Sequence, residues 1–349
     1  APPRPDVPPA APDPTPPAAA AWPPPLPDLE AASRLLAERR PLLDWPRLAP
    51  GAAVTVFAHA RGNHFMTDIA RLVTAGFAGA GFQARLADEA DRPGTAALRC
   101  VVAPHEFFHL PAAGGRPLPA GTAAGALLIN VEQLHTPWFA QGQEALRHAR
   151  AVLDISLLSA AQLAAAGYPA QFLALGGVPG HGVDRGPLPD LPALATLEPA
   201  IKAQCPPPGA PLGERPLDIL FIGYLSERRA EILGRMAERL ARWRCHFLLT
   251  ENHGPLVEGA NAPLDSASAR GLAARAKIVL NLHQSETPFF EWHRIALQAL
   301  WMRALPVSEP TAPAGPLRAG RDYLAAPPDE LPDLLDWLRF SYDAPDANF

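Results

Sequence analysis

Polar and charged side chains gather at residues 283–294, where a predicted strand gives way to a predicted helix. Glu291, at the start of that helix, could accept hydrogen bonds from ribose hydroxyls, and Arg294 in its first turn could contact a diphosphate. The alternative is a capped helix with surface charges. We favour a ligand site, and its candidate residues here are His283, Glu286, Phe290, Glu291, His293 and Arg294.

A second cluster follows the apolar segment 217–222. A glycine after a strand lets the backbone approach a ligand, and the N-terminus of the next helix offers free N–H groups to phosphate. A serine is well placed to cap that helix, and two arginines could add charge. The alternative is an ordinary turn with a solvated arginine pair. The candidate ligand-binding residues are Gly223, Tyr224, Ser226, Arg228 and Arg229.

Two further clusters follow predicted strands in the first half of the chain. His64 ends the run HARGNH, and a histidine near a cleft could act as a general base. The alternative is a helix entry capped by Asn63. Glu132 could face the same cleft, although a turn with local hydrogen bonds is equally compatible. His64, Glu132 and Glu291 are the candidate catalytic residues, and Asn252, after another strand, joins the ligand-binding set.

Several familiar motifs are absent from the sequence. No G-x-G-x-x-G follows the first predicted strand, and neither a G-x-x-x-x-G-K-[ST] phosphate loop nor a G-x-S-x-G elbow is present. Residues 105–109 match the letters H-E-x-x-H, but Pro104 and Pro111 leave no room for the helix of a zinc protease. The sequence therefore predicts neither a metal site nor a resident cofactor.

Short apolar segments alternate with helical periodicities along the chain, which predicts parallel sheets with helices on both faces. The predicted strands are 53–58, 82–86, 99–103, 126–130, 152–157 and 170–175 in the first half, and 217–222, 245–249, 277–282 and 304–308 in the second. Ligands of such sheets bind beyond the carboxyl ends of the strands. The polar residues after these strands are therefore the first candidates.

The length of 349 residues allows two domains of ordinary size. Residues 1–28 are almost all Pro, Ala and Asp, which predicts a disordered tail that serves as a linker or binds a partner. The further predicted boundaries are 29–185 for an N-terminal α/β domain, 186–215 for a linker, 216–330 for a C-terminal α/β domain, and 331–349 for a C-terminal helix packing back on the N-terminal domain.

Composition narrows the possible partners and location. The net charge of −5 lacks the basic surplus of a nucleic-acid binder. The three cysteines lie far apart, which is typical of a reducing compartment and not of a zinc ribbon. No apolar run reaches the length of roughly 20 residues that spans a bilayer. Because no secretory signal is visible either, we expect a cytoplasmic protein without a membrane span.

Several segments together resemble GT-B glycosyltransferases, specifically bacterial ones with a CgeB-like C-terminal domain. The segments that carry the resemblance, spread over roughly residues 52–340, are 218–223 with 226–229, 276–283, 290–295 with 305–309, 128–134 and 154–156. The resemblance implies two Rossmann-like domains facing a central cleft. The second would bind a nucleotide-sugar donor, and the first an acceptor, which could be a glycan, a protein or a small molecule.

The resemblance also implies transfer without a metal, in which helix N-termini and basic residues stabilise the departing diphosphate. Glu291 would lie near the sugar or ribose and Arg294 near the phosphates. One departure matters, because many retaining enzymes of this fold carry a second Glu where Ala299 stands here. Retention or inversion stays open. A catalytically degenerate binding module and a nucleotide-sugar epimerase are the alternatives to a transferase.

Overall fold

The computed structural model contains two α/β domains, each built on a sheet of parallel strands. It describes residues 24–25, 27–43, 45–91, 96–112, 115–182, 185–250, 256–257, 260–286, 295–311 and 316–343. The predicted fold class, α/β with two Rossmann-like domains, is confirmed. Of the predicted tail, residues 1–23 and 26 lie outside the described residues.

The first sheet has the strand order β2-β1-β3-β4-β5-β6. Its strands are β1 (Ala53–Phe57), β2 (Gln83–Ala87), β3 (Leu98–Val102), β4 (Leu127–Asn130), β5 (Ala151–Asp154) and β6 (Ala170–Phe172). The chain leaves β1 for β2 on one side and then returns to β3 on the other, so the strand order reverses at β1. Ligands of open sheets bind at such a reversal.

The described residues of this domain form the helices α1 (Leu29–Arg39), α2 (His64–Gly79), α3 (Pro104–Phe107), α4 (Pro137–His148) and α5 (Leu157–Ala165). Side-chain caps fix several of their starts, because the side chains of Asp28, Thr136 and Ser156 each accept a hydrogen bond from a backbone N–H three residues later. Helices cover both faces of the sheet, and their apolar sides join its buried strands.

The second sheet has the order β11-β10-β9-β7-β8. Its strands are β7 (Leu217–Tyr224), β8 (Cys245–Thr250), β9 (Ala276–Asn281), β10 (Leu305–Ser308) and β11 (Leu324–Ala325). β7 is longer than predicted, because Gly223 and Tyr224 pair with Leu249 and Thr250 of β8. These two residues therefore end the strand and do not form the turn after it.

The helices of the second half are α6 (Pro199–Ala203), α7 (Glu227–Leu240), α8 (Ser266–Arg275), α9 (Leu297–Trp301) and α10 (Leu331–Asp343). α7 begins where the sequence predicts, because the Ser226 hydroxyl accepts from the N–H of Arg229. Among the described residues, no helix combines the length and apolar character needed to cross a bilayer.

The segment 186–215 packs into the second domain, so it is more than the linker we expected. Leu188 and Ile201 are buried in that domain's core. The fully buried Arg275 donates hydrogen bonds to the carbonyls of Gly186, Ile201, Lys202 and Gln204. One arginine thus satisfies four carbonyls of an irregular segment, which fixes the segment to α8.

The prediction that the C-terminal helix packs on the N-terminal domain is wrong for its described part. Leu331, Leu335 and Leu338 of α10 are buried in the core cluster of the second domain, beside α7. Arg235 of α7 also pairs with Asp329 at 3.0 Å. The apolar faces of α7 and α10 cover one another, which explains the position of α10.

Candidate functional site

A cavity of about 90 Å³ opens at the carboxyl edge of the second sheet. Most of its wall is apolar, and the second domain contributes Leu220, Ile222, Gly223, Tyr224, Leu248, Thr250, Leu256, Pro263, Leu264, Ser266, Ala269, Ala273, Val279, Ile295 and Gln298. His64 and Phe65, at the start of α2, close it from the first domain. The structure therefore brings three predicted site residues, His64, Gly223 and Tyr224, to one place.

Arg228 lies in the first turn of α7, next to the carboxyl ends of β9 and β10. Its Nη2 and Nη1 donate to the Glu309 carboxylate at 2.6 and 3.0 Å, and its Nε donates to Glu286 at 2.7 Å. The bond to Glu309 raises the pKa of Arg228 above its ordinary value. Glu309 is buried while Glu286 is 88% exposed, so an incoming anion can replace Glu286 while Glu309 keeps the guanidinium in place.

Arg229 does not face a ligand site, contrary to our expectation. Its side chain is buried, its Nε and Nη2 both donate to the Leu282 carbonyl, and its Nη1 donates to the Tyr224 carbonyl. The guanidinium also stacks on the Phe221 ring. A Cβ at Gly223 would lie 3.2 Å from Nη1, so the glycine makes room for this buried cation. Arg229 stabilises the end of β7.

His283 is likewise buried, and its Nε2 lies 3.0 Å from the Pro310 carbonyl. Its backbone N–H donates to Glu309, the carboxylate that also holds Arg228. The predicted residues Ser226, Arg228, His283 and Glu286 therefore do lie close together. The backbone N–H of His283 binds Glu309, and the side chain of Ser226 caps α7, so both residues hold the neighbouring groups in place.

His64 connects the two domains. Its N–H donates to the Leu256 carbonyl at 2.8 Å, and its Nδ1 lies 3.0 Å from the Ser266 hydroxyl at the start of α8. One turn further along α2, Asp68 accepts from Arg270 of α8 at 2.8 and 3.0 Å. Both members of this ion pair are about nine-tenths buried. The start of α2 is thus anchored on the second domain beside the cavity.

Glu132 lies elsewhere in the first domain. Its Oε1 accepts from the Thr136 hydroxyl at 2.8 Å, and its Oε2 lies 3.8 Å from Nε2 of His105. Burial lowers the pKa of His105 to about 3, so this imidazole is neutral. Within the described part of the chain, Glu132 is absent from the walls of the cavity that His64 closes. The structure therefore does not bring these two candidate catalytic residues together there.

The carboxyl edge of the first sheet holds buried carboxylates. Burial raises the pKa of Glu106, after β3, to about 7, and that of Asp154, at the end of β5, also to about 7. Asn63 donates to Glu106 through its backbone N–H and its side-chain Nδ2. Its Oδ1 accepts from the Leu256 N–H at 2.7 Å, so the side chain of Asn63 does not cap α2.

A second, wider cleft of about 490 Å³ lies at the ends of β1 and β2. Its wall is half polar in character and includes His59, Gly62, His64, Thr67, Arg71, Asp88, Asp91 and Val257. His64 therefore lies on both this cleft and the apolar cavity. Such a cleft could hold a polar molecule within reach of the His64 ring.

Five candidate residues lie outside the described residues: Asn252, Phe290, Glu291, His293 and Arg294. The segments that carry them, 251–255 and 287–294, adjoin Thr250 and Ile295, and both of these line the apolar cavity. Their roles remain predictions.

Sequence reasoning missed several residues of this region. Asp68, Leu256, Ser266 and Arg270 hold the domains together, but they belong to segments far apart in the sequence. No local pattern connects them. Glu309 did carry a signal, because it directly follows a predicted strand, the same criterion that selected His283 and Glu286.

Comparison with known proteins finds similarity in fold only. No family model and no curated protein matches the chain. Similar solved structures include an alpha-glucosyltransferase in complex with UDP and a 13-mer DNA containing a HMU base, with 10% identity, a TM-score of 0.44, and coverage of 84% of this chain and 91% of that chain. An alpha1,3-fucosyltransferase shows 9% identity, a TM-score of 0.40, and coverage of 90% and 86%.

A third, SsfS6, a glycosyltransferase from Streptomyces sp. SF2575, shows 13% identity, a TM-score of 0.34, and coverage of 85% and 92%. These structural neighbours are glycosyltransferases. At such low identity and TM-score these similarities concern the fold and carry no conclusion about activity.

Proposed function

We propose that this protein is a glycosyltransferase that binds a nucleotide-sugar donor at the carboxyl edge of its second domain. The observation that carries the proposal is the combination of an apolar cavity, a helix N-terminus and Arg228 at one sheet edge, closed by His64 from the other domain. A nucleoside diphosphate has a flat base and a charged diphosphate, and this edge offers a surface for each.

The base would enter the apolar cavity between β8 and α8. Leu248 and Leu264 supply apolar walls, while Thr250, Ser266 and Gln298 supply polar groups at its margin. Pockets of this composition are typical of small-molecule sites, where a few polar groups orient an otherwise apolar ligand.

The diphosphate would lie at the start of α7. The helix dipole and free N–H groups there favour a negative charge. Arg228, whose guanidinium Glu309 holds in place, would donate a charge-assisted hydrogen bond from Nε once the diphosphate displaces Glu286. Gly223, at the end of β7, lines the cavity that adjoins this helix start. When the bond between the sugar and the diphosphate breaks, the leaving diphosphate takes the bonding electrons, and these same groups stabilise its charge without a metal.

The acceptor would lie in the wider cleft of the first domain, next to His64. With a proton on Nδ1 donated to Ser266, the basic nitrogen of His64 is Nε2, which would take the proton of the acceptor hydroxyl. The acceptor oxygen then bonds to the anomeric carbon as the diphosphate departs. The position of Glu291 beside the sugar stays a prediction. The resemblance to CgeB-like glycosyltransferases stays a prediction as well.

One observation bears on the alternative of a binding module that lacks transferase activity. Ala299, at the position of the second Glu of many retaining relatives, is fully buried in the core of the second domain. The chain therefore offers no second glutamate at this position. An inverting enzyme or a module that only binds its nucleotide sugar is compatible with this core.

Calorimetric titration with UDP-, GDP- and dTDP-linked sugars tests the proposal. We expect one of them to bind, and Arg228→Gln to weaken its binding about tenfold, the loss of roughly one charge-assisted hydrogen bond. Arg235→Gln, on the exposed side of the same helix, is the matched control and should bind like the wild type. If none of the donors binds, the proposal fails.

Turnover separates the remaining alternatives. Release of the nucleoside diphosphate that depends on an added acceptor indicates a transferase. Conversion of the sugar without an acceptor indicates an epimerase, and tight binding without turnover indicates a binding module.

A further inference from the structure

A chain of hydrogen bonds leads from a buried carboxylate of the first domain to the wall of the cavity in the second. Glu106 accepts from the backbone N–H of Asn63 at 3.0 Å and from its side-chain Nδ2. The other end of that side chain, Oδ1, accepts from the Leu256 N–H. The Leu256 carbonyl in turn accepts from the His64 N–H. Four residues thus form one continuous path across the domain interface.

The charge on Glu106 fixes the direction of this path. An ionised carboxylate only accepts hydrogen bonds, so it requires the NH₂ end of the Asn63 amide. The amide oxygen is then turned to Leu256, whose N–H requires an acceptor. A protonated Glu106 could donate to the amide oxygen instead, which would turn the NH₂ end of Asn63 toward the Leu256 N–H. Two donors would then face one another, and the hydrogen bond between Asn63 and Leu256 would be lost.

The surroundings of Glu106 make its protonation relevant near neutral pH. Its side chain is 2% exposed, and burial raises its pKa to about 7 although both Asn63 bonds oppose the shift. Glu132, after β4, is the charged group that raises it further. His105, the neighbour of Glu106 on α3, is neutral and faces Glu132. α4, which packs on α3, brings Gly142 against the backbone of His105.

Close packing against Gly62 restricts movement of the Glu106 carboxylate away from Asn63. A Cβ on Gly62 would lie 2.4 Å from Oε2 of Glu106 and 3.1 Å from the His59 carbonyl. The turn after β1 therefore lies directly on the carboxylate. This close approach, independent of any titration, shows that Glu106 and the turn leading into α2 are fitted to one another.

We propose that Glu106 is a positioning residue whose ionised form orients Asn63, so that Leu256 and His64 are held together at the cavity of the second domain. Protonation releases Leu256 and loosens the contact between the domains. The hydrogen bond between Asn63 and Leu256 can be followed in the protein without any ligand. Its effect on nucleotide binding rests on the proposed function of the cavity.

The amide resonance of Leu256 in a ¹H–¹⁵N NMR titration from about pH 5.5 to about pH 8.5 tests the inference. In the wild type we expect the Leu256 resonance to titrate with a midpoint near the pKa of Glu106, about 7. The protection factor of the Leu256 amide, the exchange rate of an unstructured chain at the same pH divided by that of this amide, should rise on the alkaline side. In Glu106→Gln the titration should disappear. A Leu256 resonance that does not change with pH in the wild type would overturn the inference.

Two further variants test whether the titration of Leu256 comes from Glu106. Glu89→Gln removes another buried carboxylate of the first domain, one that holds Ala60 and faces His59, and it should leave the Leu256 titration unchanged. Asn63→Ala should fix Leu256 in its acid-side state at every pH, which provides a second test if Glu106→Gln does not fold. A titration that persists in Glu106→Gln assigns the effect to His64 or another histidine and contradicts the role of Glu106.

Nucleotide titrations at the two ends of the pH range complete the test. With UDP or GDP as the probe, wild-type affinity should weaken about threefold on the acid side, and that of Glu106→Gln should not change with pH. If Leu256 titrates as expected but no nucleotide binds, the proposed function fails while the role of Glu106 stands. If nucleotides bind but Leu256 does not titrate, the role of Glu106 fails while the proposed function stands.

Discussion

The carboxyl edges of the two sheets differ in how their buried carboxylates are paired. The first-domain edge holds Glu106 and Asp154, and burial raises the pKa of both. At the second-domain edge the buried Glu309 pairs with Arg228, next to the N-terminus of α7 and an apolar cavity. The two sheets have similar topology, so the fold alone does not select the proposed nucleotide site. We place it at the second edge because of the residues that follow its strands.

The largest effect is expected at Arg229, the buried cation that supports the second edge. Arg229→Ala leaves the carbonyls of Leu282 and Tyr224 without these donors and creates a cavity beside Phe221. We expect the free energy of unfolding to fall by about 3 kcal/mol or more, measured by denaturant titration. The exposed Arg235→Ala should change it by less than about 0.5 kcal/mol. Equal effects of the two variants would show that Arg229 is not a structural residue.

A smaller loss of stability is expected for a substitution at the first edge. Gly62→Ala places a Cβ 2.4 Å from Glu106, and we expect it to reduce the free energy of unfolding by about 1–3 kcal/mol. Gly76→Ala, in the last turn of α2, has no atom within 4 Å of the new Cβ and should be neutral or stabilising. Thermal unfolding of the two variants side by side measures the difference. A Gly62→Ala variant as stable as Gly76→Ala would contradict the close packing on Glu106.

Filling the cavity tests the apolar half of the second edge. Ala269→Leu, on the wall formed by α8, should weaken nucleotide binding about tenfold, or roughly 1.4 kcal/mol, because the side chain occupies the space of the base. Ala237→Leu, at an exposed position of α7, is the control and should bind like the wild type. Calorimetry gives both affinities. Unchanged affinity in Ala269→Leu would place the base outside this cavity.

The smallest expected effect is on the pH dependence of the free energy of unfolding, to which the buried acids of the first edge contribute. The pKa of Asp154 is about 7 in the folded chain and near its ordinary value of 3.8 in the unfolded chain. Between these values the folded chain binds more protons, so Asp154 makes the free energy of unfolding fall as pH rises. His105, with its lowered pKa, acts in the opposite direction below its ordinary value of 6.5.

Asp154→Asn removes the contribution of Asp154 and leaves that of His105. Between about pH 5 and about pH 7, we expect the variant to lose less stability with rising pH than the wild type, by up to about 1 kcal/mol per pH unit. Thermal unfolding across this range measures both slopes. Parallel slopes would show that Asp154 does not hold a proton in the folded chain.

The comparison also shows what could be predicted from the sequence. Strand positions followed from short apolar runs, and the start of α7 followed from Ser226, because local sequence determines both. The polar residues after the strands did include Arg228, Glu286 and His64, since the carboxyl edge rule depends only on strand positions.

Long-range contacts could not be predicted in the same way. Arg228 and Arg229 are adjacent in the sequence, yet Arg228 lies at the proposed site and Arg229 inside the core, because successive helical residues point in different directions. The position of α10 depended on which of two apolar surfaces it covers. The contact of Asn63 with Leu256 joins residues 193 positions apart, which no local pattern reports.

A crystal structure of the protein with UDP or GDP is the most direct test of donor binding at the second-domain edge. We predict the diphosphate within hydrogen-bonding distance of Arg228 and the first N–H groups of α7, with the base between Leu248 and Leu264. A diphosphate at the carboxylate-lined edge of the first domain, or no bound nucleotide at either edge, would contradict it.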